Sequence, residues 1–272
     1  MQNKDKKSKQ LKRFKYAQTE KIKQENQLAK TSQQNQIAEL ATYIYNNICD
    51  DYNNIYKEHS PHKYLANKSL FFDISKYNIK VINSVDADKK LNYRIQTHKC
   101  YFVDGFWLII PIYNKYKKDI RNLQFIDNVG NKTMIKYGET VGVYFAINSK
   151  NISNKYAIVE GVADALVLSQ ILDDFNIIVA FSAQQIKDVV GSIVNTEINV
   201  EIVIFADYDK DNKVGEIYAI ETIKKYGGKY IIPPNEIKDF CDFYTITYRQ
   251  KHSKKQTINI MKNYIKKLLD KM

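Results

Sequence analysis

Cysteine is scarce in this chain. Its 272 residues hold three, Cys49, Cys100 and Cys241, widely separated and with no Cys-x-x-Cys pair among them. That spacing argues against a disulfide framework and against a zinc site, and reads as reduced thiols of a cytosolic protein. Long hydrophobic runs are also missing, since none approaches the roughly 18 residues of a membrane span. The Lys- and Gln-rich beginning lacks the apolar core of a secretory signal. The expectation is a cytoplasmic protein with no membrane partner. No Gly-x-x-x-x-Gly-Lys-Ser/Thr occurs either, so an ATP-driven helicase module of the P-loop kind is excluded.

What is present is length enough for one large domain or two modest ones with a real core. Lys, Asn, Ile and Tyr are abundant, a pattern that fits a base-composition bias in the gene, so lysine number alone decides little. The placement of charge is more informative. Residues 1–30 carry nine Lys and one Arg against three acids, a net of +7, and residues 249–272 carry seven Lys and one Arg against one acid, again +7. With a total of +12, residues 31–248 are left at −2. Basic ends around a near-neutral body suit either a polyanion contacted through its phosphates or a pair of solvated tails.

Residues 1–30 are too polar to build a core and read as disordered or as a loose, exposed helix. From Gln33 to about Lys57, Ile37, Leu40, Ala41, Ile44, Ile48, Tyr52 and Ile55 recur at helical spacing, and Ser60-Pro61-His62 ends that stripe. Between 64 and 148 the pattern changes to short strands at 79–82, 93–95, 101–103, 107–110, 123–126, 133–136 and 143–146, separated by turns such as Asp104-Gly105 and Tyr137-Gly138. This predicts a mostly antiparallel subdomain, closed by a polar linker over 148–154. Strand and helix then alternate: strands at 156–159, 177–181, 201–206 and 229–232, helices at 162–173, 184–195 and 214–226. That alternation predicts a parallel α/β sheet. A last amphipathic helix runs from about Lys254 to Leu269. The domains expected are a basic helical segment (1–58), a strand-rich subdomain (60–150), an α/β domain (154–248) and a basic C-terminal helix (249–272).

Two acidic motifs stand at strand ends in the α/β region. The first is Ile158-Val159-Glu160-Gly161-Val162-Ala163-Asp164-Ala165-Leu166, and the second is Phe205-Ala206-Asp207-Tyr208-Asp209-Lys210-Asp211, followed by Gly215. Ligands of open parallel sheets bind at the carboxyl ends of strands. Carboxylates gathered there repel one another until a hard divalent cation, Mg²⁺ or Mn²⁺, joins them through oxygen ligands. The alternative for Glu160 is an ordinary carboxylate favoured by a helix dipole, and for the second motif a solvated acidic turn. A calcium loop is excluded because Asn212 and Tyr218 occupy the places of its glycine and its terminal glutamate.

Glu-Gly-x-x-Asp-Ala-Leu followed by Asp-x-Asp resembles the Toprim domain of DnaG-type primases, topoisomerases and some nucleases. Upstream, Leu91-Asn92-Tyr93-Arg94, Phe106 to Ile112, Leu123 to Asp127, Gly130-Asn131-Lys132 and Val141 to Tyr144 follow in an order that resembles the segment preceding Toprim in plasmid- and phage-encoded primases. Downstream, Lys238-Asp239-Phe240-Cys241-Asp242 resembles that family's Lys-Asp-x-Asn-Asp element, with Cys241 where asparagine is usual. The resemblance spans roughly residues 60 to 245. The family's zinc ribbon has no counterpart, and the spacing to Gly215 is longer than in DnaG-type primases.

The resemblance implies an α/β Toprim fold, Rossmann-like with a parallel sheet, carrying a strand-rich N-terminal subdomain and helical basic ends. It implies a DNA primase, a nucleotidyltransferase making short primers from ribonucleotides on a single-stranded DNA template of a mobile element. Glu160, Asp164, Asp207 and Asp209 would be its catalytic residues. Glu160, Asp207, Asp209 and Asp211 would hold Mg²⁺ or Mn²⁺, and Asp239 and Asp242 would give acidic support, unless they lie in an exposed turn. Arg94, Lys132 and Lys136 would bind phosphates, or else be solvated hairpin residues. A replicative helicase or other replication protein is a further candidate partner. Two other functions remain open on the residues: a Toprim nuclease, and a non-catalytic nucleic-acid-binding accessory factor.

Overall fold

The structure, a computed structural model, describes residues 2–57, 60–85, 104–114, 119–148, 152–250 and 252–271. The expected strands at 93–95 and 101–103, with Arg94, His98 and Cys100, lie outside the described residues. Among the described residues the architecture is mixed α/β, with two five-stranded sheets.

The first sheet is a meander of β1 (Asp50–Asp51), β2 (Lys80–Asn83), β3 (Phe106–Tyr113), β4 (Ile120–Ile126) and β5 (Lys132–Met134), paired antiparallel in that order. Alternation gives it two apolar faces. Ile82, Trp107, Ile109, Leu123 and Phe125 face one way and meet Ile37, Ala41, Ile44 and Tyr45 of a long helix, α1 (Gln2–Asn47). Val81, Leu108, Ile110 and Ile126 face the other way, into the core shared with the second sheet. Pro111 is tolerated in β3 because it lies beyond Ile109, the last residue there that pairs with β2.

Helix α1 is longer at its start and shorter at its end than the periodicity predicts. It begins at Gln2, spans 46 residues, about 70 Å at the usual rise, and is exposed over almost all of residues 18–36. It stops at Asn47, where Ile48 and Cys49 both donate to the Ile44 carbonyl and the chain turns into β1. Tyr52 and Ile55 continue the heptad-like spacing but belong to a separate turn, α2 (Tyr52–Ile55), and Tyr52 is buried in the other core. The single apolar stripe is therefore two stripes serving opposite faces of one sheet.

The second sheet runs in the order β10 (Lys229–Ile231), β9 (Glu201–Phe205), β7 (Lys155–Val159), β8 (Asn176–Val179), β6 (Phe145–Ile147). Four strands are parallel, and β6 adds itself antiparallel to β8. The strand expected at 143–146 thus pairs with the α/β sheet and not with the antiparallel one. Tyr144 is bridged to Tyr113, which ties the two sheets together. Ala157, Val159, Val203 and Phe205 share one core with α4 (Val162–Leu168) and the first sheet, while Tyr156, Ile158, Ile202 and Ile204 share another with α5 (Ala183–Val194) and α6 (Val214–Tyr226). Two helices close the chain: α7 (Phe240–Arg249), which the sequence reading lacks, and α8 (Lys254–Lys271). No helix among the described residues is long and apolar enough to cross a membrane.

His62 joins these layers. It caps the short helix α3 (Lys63–Asn67), accepting from the Tyr64 N–H at Nδ1, while Nε2 lies 2.8 Å from the Phe106 carbonyl of β3 and donates to it. That arrangement needs the neutral ring, and burial lowers its pKa. Unfolded histidine titrates near 6.5, so the unfolded chain takes up the proton first as pH falls. Stability should be full above about pH 6.5 and decline below it. Urea midpoints at pH 7.5 and 5.5 test this, with His62→Asn expected to flatten the slope. Ile44→Ala, which empties the contact between α1 and the first sheet, should cost about 2–5 kcal/mol in the same assay.

Candidate active site

The order of the second sheet decides where chemistry can occur. From β7 the chain crosses to β8 on one side, and from β8 it crosses to β9 on the other side of β7. The connections therefore diverge between β7 and β9, and open sheets of this kind have their ligand crevice at the carboxyl ends of such a strand pair. Glu160 follows β7 immediately, and Asp207 follows β9 by two residues. Gly215, at the start of α6, lets these ends approach: a Cβ there would stand 2.8 Å from the Asp207 carbonyl and 3.0 Å from Glu160 Oε1.

Two further carboxylates lie behind this pair. Asp164, on α4, is 7% exposed and accepts from the Cys241 N–H through Oδ1 at 2.9 Å. Asp239, also 7% exposed, caps α7 by accepting from the Asp242 N–H. The loop before α7 is fastened to the second acidic motif by the Tyr208 N–H, which donates to the Lys238 carbonyl at 2.7 Å. Asp239 to Asp242 is an Asp-x-x-Asp spacing that resembles a capping box. That signal was available in the sequence and points to the helix that the sequence reading lacks.

The electrostatics record the crowding. Burial pushes the Glu160 carboxyl above the usual range and Asp164 adds to this, while the Ala183 N–H at the start of α5 and Lys238 offset part of it. Asp207 is raised by burial, then by Glu160 and Asp239, with Lys238 and Lys132 opposing. Asp164 is raised by burial, then by Asp239 and Asp207, and its Cys241 hydrogen bond and Lys68 oppose. Three lysines therefore face four carboxylates. Lys132 arrives on β5 through a tight turn in which Asp127 accepts from the Val129, Gly130 and Asn131 N–H groups. Lys68 follows α3 and pairs with Asp242 at 3.7 Å.

The structure thus brings together Glu160, Asp164, Asp207 and Asp239, with Asp242 at the edge. Asp209 is half-buried and Asp211 exposed, and neither side chain makes a hydrogen bond or ion pair with the four among the described residues. Lys136 is exposed, with its ammonium 4.8 Å from the Tyr137 ring centroid. Lys68 and Tyr64 reach the cluster from nearly a hundred residues upstream of Asp164, and no local pattern announces them.

The donor chemistry fits a hard divalent cation: oxygen ligands only, and a repulsion that such an ion removes. Among the described residues no three His, Cys, Asp or Glu side chains are gathered into a ready-made cage. Glu160 and Asp207 are the first carboxylates to follow β7 and β9.

A buried acid whose pKa is raised stabilises the fold fully only below its unfolded pKa, near 3.9, and that stability is lost as pH rises through the folded value. Asp164→Asn keeps an acceptor for the Cys241 N–H and removes the charge. In EDTA it should raise the thermal midpoint at pH 8, and the gain should shrink toward pH 5. A midpoint unchanged or lowered at pH 8 would show that Asp164 is charged and well compensated.

No protein-family model matches the chain, and no curated protein matches it. Among solved structures it is similar to the primase fragment of the bacteriophage T7 primase-helicase protein, with 15% identity over 66% of each chain and a TM-score of 0.44. It is similar to the RNA polymerase domain of Mycobacterium tuberculosis primase DnaG, with 12% identity over 82% of each chain and a TM-score of 0.46. A third match is a bacteriophage T7 lagging-strand DNA polymerase complex, described as interacting with primase domains bound to an RNA/DNA hybrid and dTTP. There the identity is 15% over 61% of this chain and 75% of that one, with a TM-score of 0.42. The chain spans just under two thirds of the T7 primase fragment's length.

Proposed function

We propose that this chain is a Toprim-type nucleotidyltransferase of the primase kind, joining ribonucleotides on a single-stranded DNA template. The observation that carries the reading is the pair Glu160 and Asp207 at the point where the parallel sheet reverses its winding. Carboxylates line one wall of that crevice and Lys68, Lys132 and Lys238 face them. A phosphoryl group travelling with a divalent cation needs both walls, acceptors for the cation and donors for the phosphate oxygens. The motif order in the sequence, from Phe106 to Asp242, supports the same assignment and the origin in a mobile element.

Glu160 and Asp207 would hold Mg²⁺ or Mn²⁺, with Asp209 next along the same loop. Bound there, the ion supplies activation of the attacking hydroxyl and neutralisation of the leaving pyrophosphate. The residues of the chain do the rest. Ala183 N–H fixes the orientation of Glu160 from the N-terminus of α5. Asp164 holds the start of α7 through the Cys241 N–H and thereby sets the position of Asp239. Lys132 and Lys68 compensate phosphate charge from the first sheet and α3. The two basic ends, each +7, would hold the template backbone without regard to sequence.

The test is primer synthesis on single-stranded DNA with labelled ribonucleotides and Mg²⁺ or Mn²⁺. Wild type should make short products, and Glu160→Gln and Asp207→Asn should each reduce the yield roughly a hundredfold or more. Absence of products from folded wild type with either metal overturns the primase reading. Shortening of the template in the same reactions would identify a nuclease, and salt-sensitive binding with neither activity an accessory factor.

A further inference from the structure

One polar group in this crevice has no partner. Tyr64 is 4% exposed, and its hydroxyl makes no hydrogen bond among the described residues. Tyr52 accepts from the His62 N–H, Tyr45 donates to the Asn78 carbonyl, and Tyr77 is joined to Ser169 and Gln170. The Tyr244 hydroxyl and Gln185 Oε1 are also buried without a partner among the described residues, but of the two tyrosines only Tyr64 stands in the field of Asp164, Asp239 and Asp242. A buried donor left unpaired is costly, and such groups persist where a ligand completes them.

The ring of Tyr64 is held in place. Gly130 lies against it, in a turn with φ +96°, and a Cβ there would come within 3.1 Å of the ring. Lys132 sets its ammonium 6.0 Å from the ring centroid. His62 holds the first turn of α3 from below. The hydroxyl stands in the field of Cys241, Asp164, Asp239 and Asp242, and burial drives its pKa far up, so it remains an O–H donor.

Tyr64, Lys68 and Lys132 all belong to the part of the chain before residue 135, and the carboxylates all belong to the part after 160. Lys68 and Lys132 of the earlier part act on the carboxylates of the later part, to which Lys238 also belongs. We propose that the Tyr64 hydroxyl is a ligand-contacting donor of this crevice, giving its hydrogen bond to a phosphate oxygen of the bound nucleotide or nucleic acid. Lys132 then supplies charge and Tyr64 supplies direction, since a phenol O–H on a wedged ring has one line of approach. The assignment rests on the phosphoryl-transfer reading of the site.

Tyr64→Phe keeps the ring, its packing on Gly130 and its contact with Lys132, and deletes only the hydroxyl. Without ligand its thermal midpoint should equal or exceed that of wild type, because an unpaired buried donor is gone. Binding of Mg²⁺-ATP, followed by calorimetry and by the midpoint rise it causes, should weaken roughly tenfold or more. Oligodeoxythymidylate, titrated in parallel, shows whether nucleotide or DNA phosphate is the acceptor: only the ligand that Tyr64 contacts weakens. If wild type binds these probes and Tyr64→Phe binds both equally well, the role of Tyr64 is overturned while the site reading stands. A lowered unliganded midpoint with unchanged affinities would also overturn it, as the mark of a structural tyrosine. If wild type binds neither probe and makes no primers, the reading of the site fails and Tyr64 falls with it.

Discussion

Four carboxylates crowd the ends of two neighbouring parallel strands, and most of the surrounding structure is arranged around their repulsion. Glu160 is steadied by the first N–H of α5, Asp164 by the first turn of α7, and Asp239 by its own capping bond. Lys68, Lys132 and Lys238 approach from three separate segments of the chain and reduce the repulsion without abolishing it, since Glu160, Asp164 and Asp207 all stay above the usual carboxylate range. Added positive charge at such a site would relieve several unfavourable pairs at once.

The first sheet matters to this site as more than a neighbour. Its inner face shares one continuous core with the second sheet and α4, α7 and α8. The Asp127 turn and α3 ride on that core, so Lys132 and Tyr64 are carried to the acidic crevice by packing far from it. The outer face is covered by the last turns of α1, which before them is exposed over almost all of residues 18–36.

Some of this was legible in the linear chain. The parallel strands and the helices at 183–194 and 214–226 appear almost as periodicity predicts, because each buries one continuous stripe or run. The antiparallel strands from β2 to β5 also follow their alternation. Three features did not read correctly for identifiable reasons. The stripe from Ile37 to Ile55 looked like one helix because residues serving opposite sheet faces happen to keep helical spacing. The strand at Phe145–Ile147 was assigned to the wrong sheet because a short apolar run does not name its partner. Helix α7 was missed because its start was read as an acidic element and not as a cap.

The sequence alone determined which residue types stand at the ends of β7 and β9, since a strand followed by Glu-Gly or Ala-Asp is a local pattern. It also determined the charge of the two ends and the alternation that makes the second sheet parallel. Only the tertiary structure decided that Asp164 and Asp239 stand behind Glu160 and Asp207, and that Lys68, Lys132 and Tyr64 face them. Those partners come from segments separated by up to about 180 residues. What unites them is the burial of apolar faces elsewhere, a non-directional force; Asp164, Asp239 and Lys132 stand in motifs visible in the sequence, whereas nothing local marks Lys68 and Tyr64.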